Sequence, residues 1–363
     1  MKKIISLATA FIILFSVCLS SSAGSYDNPP ETVKINNQYG FRYTEYTDAE
    51  HRTVRIYSAA DNTNVQNGTA LCSLQSDSDY LRTKSILSSL GMGDDFIAEL
   101  SDEQLNEYAS SESIYASTEY IRTDMNGNQT TVSEEEALNA SASVNPTAAP
   151  PTDDFVDDGG GDYPVYYDIM TDSYMKLTYV VSYRGNAKYN FSVDALWLTM
   201  PKYRLTDSLG CCAQGISIIS GTKSGWISYD EARCVNTTYS THSYKYNYTN
   251  NEVQFALNSG WQGAVITFDL PDNVSVSSTI YTTSSTYSNF KAHCEFDAYI
   301  ANPDTELYFN TSATYDHTKI AVVGSHNVSL SVSGVGFAIG FSISDKQEKR
   351  TIFFDSPIHF SPN

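Results

Sequence analysis

The sequence predicts a mainly β protein, in which a small acidic α+β domain is joined by a flexible acidic linker to an antiparallel β-sandwich. Three observations predict it. After residue 164, many short segments alternate apolar and polar side chains, the period of two that a half-buried strand requires. No convincing long helical period lies between those segments, which favours antiparallel neighbours over crossover connections. The charge is also divided unevenly: residues 24–163 carry 25 acidic and 7 basic side chains, against 17 and 13 in residues 164–363.

Residues 1–23 read as an export signal of bacterial type. Lys2 and Lys3 are followed by the apolar stretch Ile4 to Leu19 and by the small residues Ser21, Ser22 and Ala23, the order of a cleavable leader. The stretch is short for a membrane span and is interrupted by Ser6, Thr9 and Ser16. Cys18 raises the alternative of a lipid anchor, but Val17 is a poor neighbour for that modification. The expectation is a secreted or surface-associated chain with no membrane span after the signal is removed.

Residues 24–140 form the small α+β domain. Tyr39 to Tyr57 alternates as strands do, and Asp79 to Leu90 keeps a helical period ended by Gly91. A short helix near Asp94 to Leu100 comes next, then one opened by Ser101 with Gln104 in a capping box. Ser113 to Thr123 and Thr130 to Val132 predict a hairpin around Asn126-Gly127. Ser133 and Glu136 cap a last short helix.

That hairpin contains a calcium-loop look-alike. Asp124, Asn126, Asn128 and Thr130 alternate and Glu135 stands twelfth, but Gln129 occupies the position that needs glycine. A strand also precedes it where a calcium-binding hand has a helix, so no calcium is expected. Residues 141–163 make the linker. Pro146, Pro150 and Pro151 prevent regular pairing, Gly159 to Gly161 loosen its end, and its aspartates read as a solvated tether.

Residues 164–363 supply the sandwich. In Tyr174 to Arg184, Met175, Leu177, Tyr179, Val181 and Tyr183 share one face. Gly185-Asn186 turns the chain into a second strand, with Tyr189, Phe191, Val193, Ala195 and Trp197 on one side. Val253 to Leu257 and Ala264 to Leu270 follow, closed by Pro271-Asp272-Asn273. Lys291 to Ala301, Leu307 to His317, Asn327 to Val332, Val335 to Ser344 and Thr351 to Phe354 complete the set. In Val335 to Ser344 one face holds only Gly, Ala and Ser, the mark of close sheet packing, and a turn or bulge at Ser333-Gly334 resets the phase.

Five cysteines remain beyond the signal: Cys72, Cys211, Cys212, Cys234 and Cys294. The odd number leaves at least one thiol unpaired or paired between molecules, and no Cys-x-x-Cys supports zinc. Cys211 and Cys212 read as one buried and one surface thiol, with room for a single bridge to Cys234 or Cys294.

The chemistry-bearing patterns are sparse. His293, Glu295 and Asp297 share a strand face opposite apolar Ala292, Cys294, Phe296 and Ala298, so they read as an ordinary solvent face. His317 shares the parity of Leu307, Phe309, Ala313 and Tyr315 and reads as a satisfied core or edge histidine. No nucleophile elbow, His-Glu-x-x-His or phosphate-cradling glycine motif is present, so no catalytic residue, metal or cofactor is expected. The net charge of −20 disfavours nucleic acid.

Aromatic placement is the best pointer. Trp197 follows an apolar strand face, whereas Trp226 and Trp261 follow Ser224-Gly225 and Ser259-Gly260. A ring just after a turn can stack on a flat ligand face, although such a ring more often caps the open end of a sandwich. The sequence therefore favours a non-catalytic binding or adhesion protein that contacts a glycan or a surface protein through Trp226 and Trp261. A secreted hydrolase with an unrecognised site is the alternative. Membrane insertion by Asn236 to Asn250 and Ser275 to Asn289 is disfavoured by their poor alternation.

Overall fold

The computed structural model describes residues 30–62, 77–143, 165–166, 172–201, 204, 206–236, 238–258, 260–277, 281–318, 328–333, 336–341, 347–354 and 356–362. The expected signal, Cys18, Cys72, Gly334, Val335 and Ser342 to Ser344 lie outside these residues, as does nearly all of the expected linker.

The chain opens with β1 (Thr32–Asn36), β2 (Phe41–Thr47), β3 (Thr53–Ser58), β4 (Ser113–Thr123) and β5 (Gln129–Val132). Helices Ala59–Asn62, Asp77–Ser89, Asp94–Glu99 and Asp102–Ala109 separate β3 from β4, and Glu134–Ser143 follows β5. Then come β6 (Val165–Tyr166), β7 (Ser173–Tyr183), β8 (Lys188–Trp197), β9 (Thr206–Gln214) and β10 (Ile216–Ile218). β11 (Ser224–Val235), β12 (Thr238–Tyr248), β13 (Gln254–Asn258), β14 (Trp261–Asp269), β15 (Val274–Ser277) and β16 (Thr282–Ile300) are next. β17 (Leu307–Phe309), β18 (Thr311–Thr318), β19 (Val328–Ser333), β20 (Gly336–Phe341), β21 (Gln347–Phe353) and β22 (Ile358–Phe360) complete the described elements.

Two sheets dominate. A 13-stranded sheet runs β1-β2-β3-β4-β7-β8-β16-β11-β12, with β5, β6, β10 and β15 pairing beside that path. A 5-stranded sheet runs β13-β14-β9-β18-β21. The pairings are antiparallel, as the sequence predicts. β19 and β20 form a hairpin that lies against β18, β9 and β21. The phase flip expected at Ser333-Gly334 is thus a chain reversal, since Ser333 pairs with Gly336.

The main core fills the space between the two sheets. Leu177, Tyr179, Val181, Phe191, Val193, Cys294 and Phe296 of the large sheet meet Leu209, Cys211, Ala264, Ile266, Ala313 and Tyr315 of the small one. Phe191 and Phe296 stack at 5.0 Å, and a fully buried ring of this size contributes roughly 2–3 kcal/mol. Within the small sheet, β14 has no room for a side chain beside β9 at Gly263, where an added Cβ would stand 2.4 Å from the Cys211 carbonyl oxygen.

The large sheet is covered on its other side as well. A second core packs Ile86, Leu87, Leu90, Phe96, Leu105 and Tyr108 of the helices against Ala116 and Val180 of β4 and β7. β7 is therefore buried on both faces, not half-buried as its alternation implies. β4 pairs with β7 over eleven residues, from Ser113 opposite Tyr183 to Thr123 opposite Ser173. The sheet thus continues across the stretch where the sequence places a tether.

Local signals read from the sequence are present. Ser101 and Gln104 form the reciprocal capping box, and Gly91 ends its helix with φ +100°. Gly185 and Asn186 adopt φ +76° and +50° between β7 and β8. In the β4–β5 turn the Asp124 carboxylate accepts from the backbone N–H of Asn126 and Asn128 and from Asn128 Nδ2. That carboxylate organises the turn itself.

Neither of the adjacent cysteines is the surface thiol that alternation implies. Cys212 is as buried as Cys211, because the outer side of β9 is also covered, and its thiol lies 3.7 Å from Ser312 Oγ. Cys211, Cys212, Cys234 and Cys294 are all free thiols, so no bridge joins them.

Candidate functional site

Three neighbouring strands build a polar row on the helix-covered face of the large sheet. Antiparallel register sets Asp194 of β8 opposite His293 of β16, Ser192 opposite Glu295, and Asn190 opposite Asp297. From the other side, β11 sets Trp226 opposite His293 and Ser224 opposite Glu295. Because side chains alternate along a strand, these residues all project to one face.

His293, Glu295 and Asp297 are not a solvent face. Helices Asp94–Glu99 and Asp102–Ala109 cover them, leaving His293 only 6% exposed. Gln104 Nε2 reaches down from its helix to donate to Glu295 Oε1 at 2.9 Å, and Ser224 Oγ donates to the same oxygen at 3.0 Å. Tyr108 OH donates to Asn190 Oδ1 at 3.3 Å. The period of two holds, but a single strand's alternation carries no information about which helices return to cover its polar side.

His293 lies at the centre. Its Nδ1 is 2.6 Å from Asp194 Oδ1, and its Nε2 is 3.7 Å from Glu295 Oε2, an ion-pair distance. Burial alone would lower the imidazole pKa, yet Asp194 and then Glu295 outweigh it and push it up to about 10. Burial likewise would raise Glu295, but the His293 cation, Ser224 and Arg184 bring it down to about 2. At neutral pH the row therefore holds a fixed imidazolium between carboxylates. Farther along, Asp297 pairs with Arg184 at 3.0 Å and with Lys188 at 3.0 Å.

Above this floor is a half-open cleft of about 210 Å³, lined by Phe96, Glu99, Gln104, Trp226, Lys245 and Asn247 among others. Trp226 forms its wall. The indole stacks on the His293 imidazole at 5.6 Å and 21°, and Phe96 lies 5.4 Å away. Lys245 Nζ sits 4.7 Å from the indole centroid and also contacts the Glu99 carboxylate. Trp226 follows Gly225 because the sheets nearly touch there: an added Cβ would stand 2.7 Å from Ile266 Cγ2.

Trp261 is elsewhere. It begins β14 in the small sheet, opposite Gln214 and Asn258, and is 7% exposed. The two tryptophans expected to act together are therefore on different sheets. His317 is 1% exposed, with Nδ1 at 3.1 Å from Asp207 Oδ1, while Tyr315 OH donates to Asp207 Oδ2 at 2.6 Å. It is a core histidine with a carboxylate partner. Sequence reasoning missed Asp194, Gln104 and Lys245 as parts of the cleft; only the parity of Asp194 with the apolar-poor side of β8 hinted at the first.

Among the described residues no cluster of His, Cys, Asp and Glu fits a metal ion, and no helix is long and apolar enough to cross a membrane.

No protein-family model and no curated protein matches this chain. Among solved structures it is similar to one concerning pH-induced modulation of Streptococcus parasanguinis adhesion by Fap1 fimbriae. That likeness has 11% identity over 49% of this chain and 77% of the other, at a TM-score of 0.20. It is also similar to Clostridium perfringens delta-toxin, at 7% identity over 52% of this chain and 86% of the toxin, with a TM-score of 0.14. At such scores neither likeness carries an argument about fold or function.

Proposed function

We propose that this chain is an exported, non-catalytic binding protein of the adhesion type, which takes a glycan or a surface protein at the Trp226 cleft. One observation carries the reading: the cleft joins an aromatic wall, Trp226, to a floor of polar groups already hydrogen-bonded and ion-paired with one another. General acid–base catalysis needs a group whose pKa lies near the working pH. His293 at about 10 and Glu295 at about 2 stand well outside that range. Fixed charges and a flat ring instead suit recognition, since aromatic side chains offer large contact area at low entropic cost.

Export rests on the sequence of residues 1–23, and nucleic acid is disfavoured as a partner by the net charge of −20. Trp226 is the contact residue this proposal relies on. Trp261 enters only as a second ring near the end of its sheet, because so little of it is exposed.

The test is a glycan array together with a panel of surface proteins, probed with wild type and Trp226→Ala. Binding by wild type that the variant loses supports the proposal. Silence of the wild type across the panel overturns it, and turnover in a hydrolase substrate screen would put the alternative in its place.

A further inference from the structure

We propose a second binding surface, separate from the cleft: a tyrosine ledge on the inner face of the large sheet that takes an acidic polysaccharide. The ledge continues the inter-sheet core outward along the strands. Phe290 of β16 packs against Phe268 of β14 at 6.0 Å, and Tyr229 stacks on Phe290 at 5.5 Å and 9°. Around Tyr229 stand Tyr244 at 5.4 Å, Tyr287 at 5.6 Å and Tyr246 at 6.1 Å, the last 50% exposed.

Register explains why these rings share a face. Across β11 and β12, Ile227 is opposite Tyr246, Tyr229 opposite Tyr244, Glu231 opposite His242, and Arg233 opposite Ser240. Across β11 and β16, Glu231 is opposite Tyr287 and Arg233 opposite Ser285. The tyrosines therefore lead outward to Arg233 and His242, both exposed.

The charges at the ledge favour an anion. Glu231 is already engaged, accepting from Ser285 Oγ at 2.6 Å and from Tyr244 OH at 2.8 Å. The Arg233 guanidinium makes no hydrogen bond or ion pair among the described residues, although its charge helps hold the nearby Glu231 carboxyl below the usual carboxylate range. At the inner corner, Arg204 donates from Nη1 to Asn273 Oδ1 at 2.7 Å, and that oxygen also accepts from the Tyr287 backbone N–H at 2.9 Å. Arg204 is 5% exposed and its Nη2 is buried without a hydrogen-bond partner among the described residues, so it adds positive charge beneath the ledge, partly offset by Asp272, and makes no direct contact with a polymer. Although the chain carries a net charge of −20, residues 232–251 and 273–294 contain no acidic side chain.

Each feature matches part of a uronic-acid polymer. The phenol rings offer flat faces to sugar C–H surfaces and hydroxyl rims to sugar hydroxyls, while a guanidinium fork matches a carboxylate in two-point geometry. A thin polymer also reaches the ledge alone, whereas an anionic membrane would face the acidic remainder of the molecule.

The probe is polygalacturonate, with its methyl-esterified neutral form as control and phosphatidylglycerol/phosphatidylcholine vesicles as a third arm. The full mature chain should bind polygalacturonate and not the ester. Arg233→Ala and Tyr246→Ala, both at exposed positions, should each weaken binding by about tenfold, the loss of one charge-assisted or stacking contact. Equal capture by the ester, no binding by the wild type, undiminished binding in Arg233→Ala, or capture by vesicles alone would each overturn the proposal.

Discussion

His293 and Asp194 stand directly opposite each other on adjacent strands, and the imidazole Nδ1 lies 2.6 Å from the Asp194 carboxylate. Asp194 is 2% exposed, so removing its charge would leave a buried cation short of a partner. Asp194→Asn is therefore expected to cost about 3–5 kcal/mol in urea unfolding. The raised imidazole pKa gives the sign of the pH dependence. The stabilisation is complete below the ordinary value of 6.5 and fades as pH rises through about 10. The wild-type advantage over His293→Gln should shrink across that window; a gap that instead widened with pH would contradict a charged His293.

Glu119 is expected to act in the opposite sense to an ordinary surface carboxylate. It is 5% exposed, and burial, only partly offset by Arg52 and Arg350, raises its pKa to about 7. A carboxyl raised in the folded state contributes stability that is full below its unfolded value of 4.5 and is lost as pH climbs through about 7. Glu119→Gln should thus be near neutral at pH 4.5 and stabilising by up to about 3 kcal/mol at pH 8. Thermal melts of both proteins at the two pH values would check this.

The thiols offer a direct check on packing. Cys211, Cys212 and Cys294 are each 0% exposed, and burial raises the pKa of all three. A buried protonated thiol is unreactive. In the native protein these three are expected to resist a thiol-specific reagent for as long as the sandwich stays folded, and to react once urea unfolds it. Labelling mapped by mass spectrometry would resolve each position, and prompt native labelling of Cys212 would show that the outer side of β9 is open.

Much of the fold was legible because it rests on local rules. Period-two alternation marked β7, β8 and β14, and turn or capping chemistry marked the Ser101 box and the Asn126-Gly127 reversal. The missing strands are those with little apolar contrast. β12 reads Thr238 to Tyr248 and is exposed over most of its length, so no burial pattern was written into it. β9, with Gly210 between Leu209 and Cys211, is buried on both sides and loses alternation for the opposite reason.

The cleft was far less legible. Gln104 and Glu295 are 191 residues apart, and nothing near either residue in sequence announces the other. What decided the fate of the polar face of β16 was the return of two short helices over it, a tertiary event. The histidine with the unremarkable sequence context thus lies at the centre of the cleft floor, while His317 is a buried core histidine, as its parity implied.

The eleven-residue pairing of β4 with β7 has a consequence for the covalent integrity of the chain. Residues before and after the Pro- and Gly-rich stretch at 141–163 are held by a ladder of backbone hydrogen bonds that does not depend on that stretch being intact. A protease nick there would release nothing. The two pieces would stay zipped along a shared seam, and the protein would behave as one body made of two polypeptides.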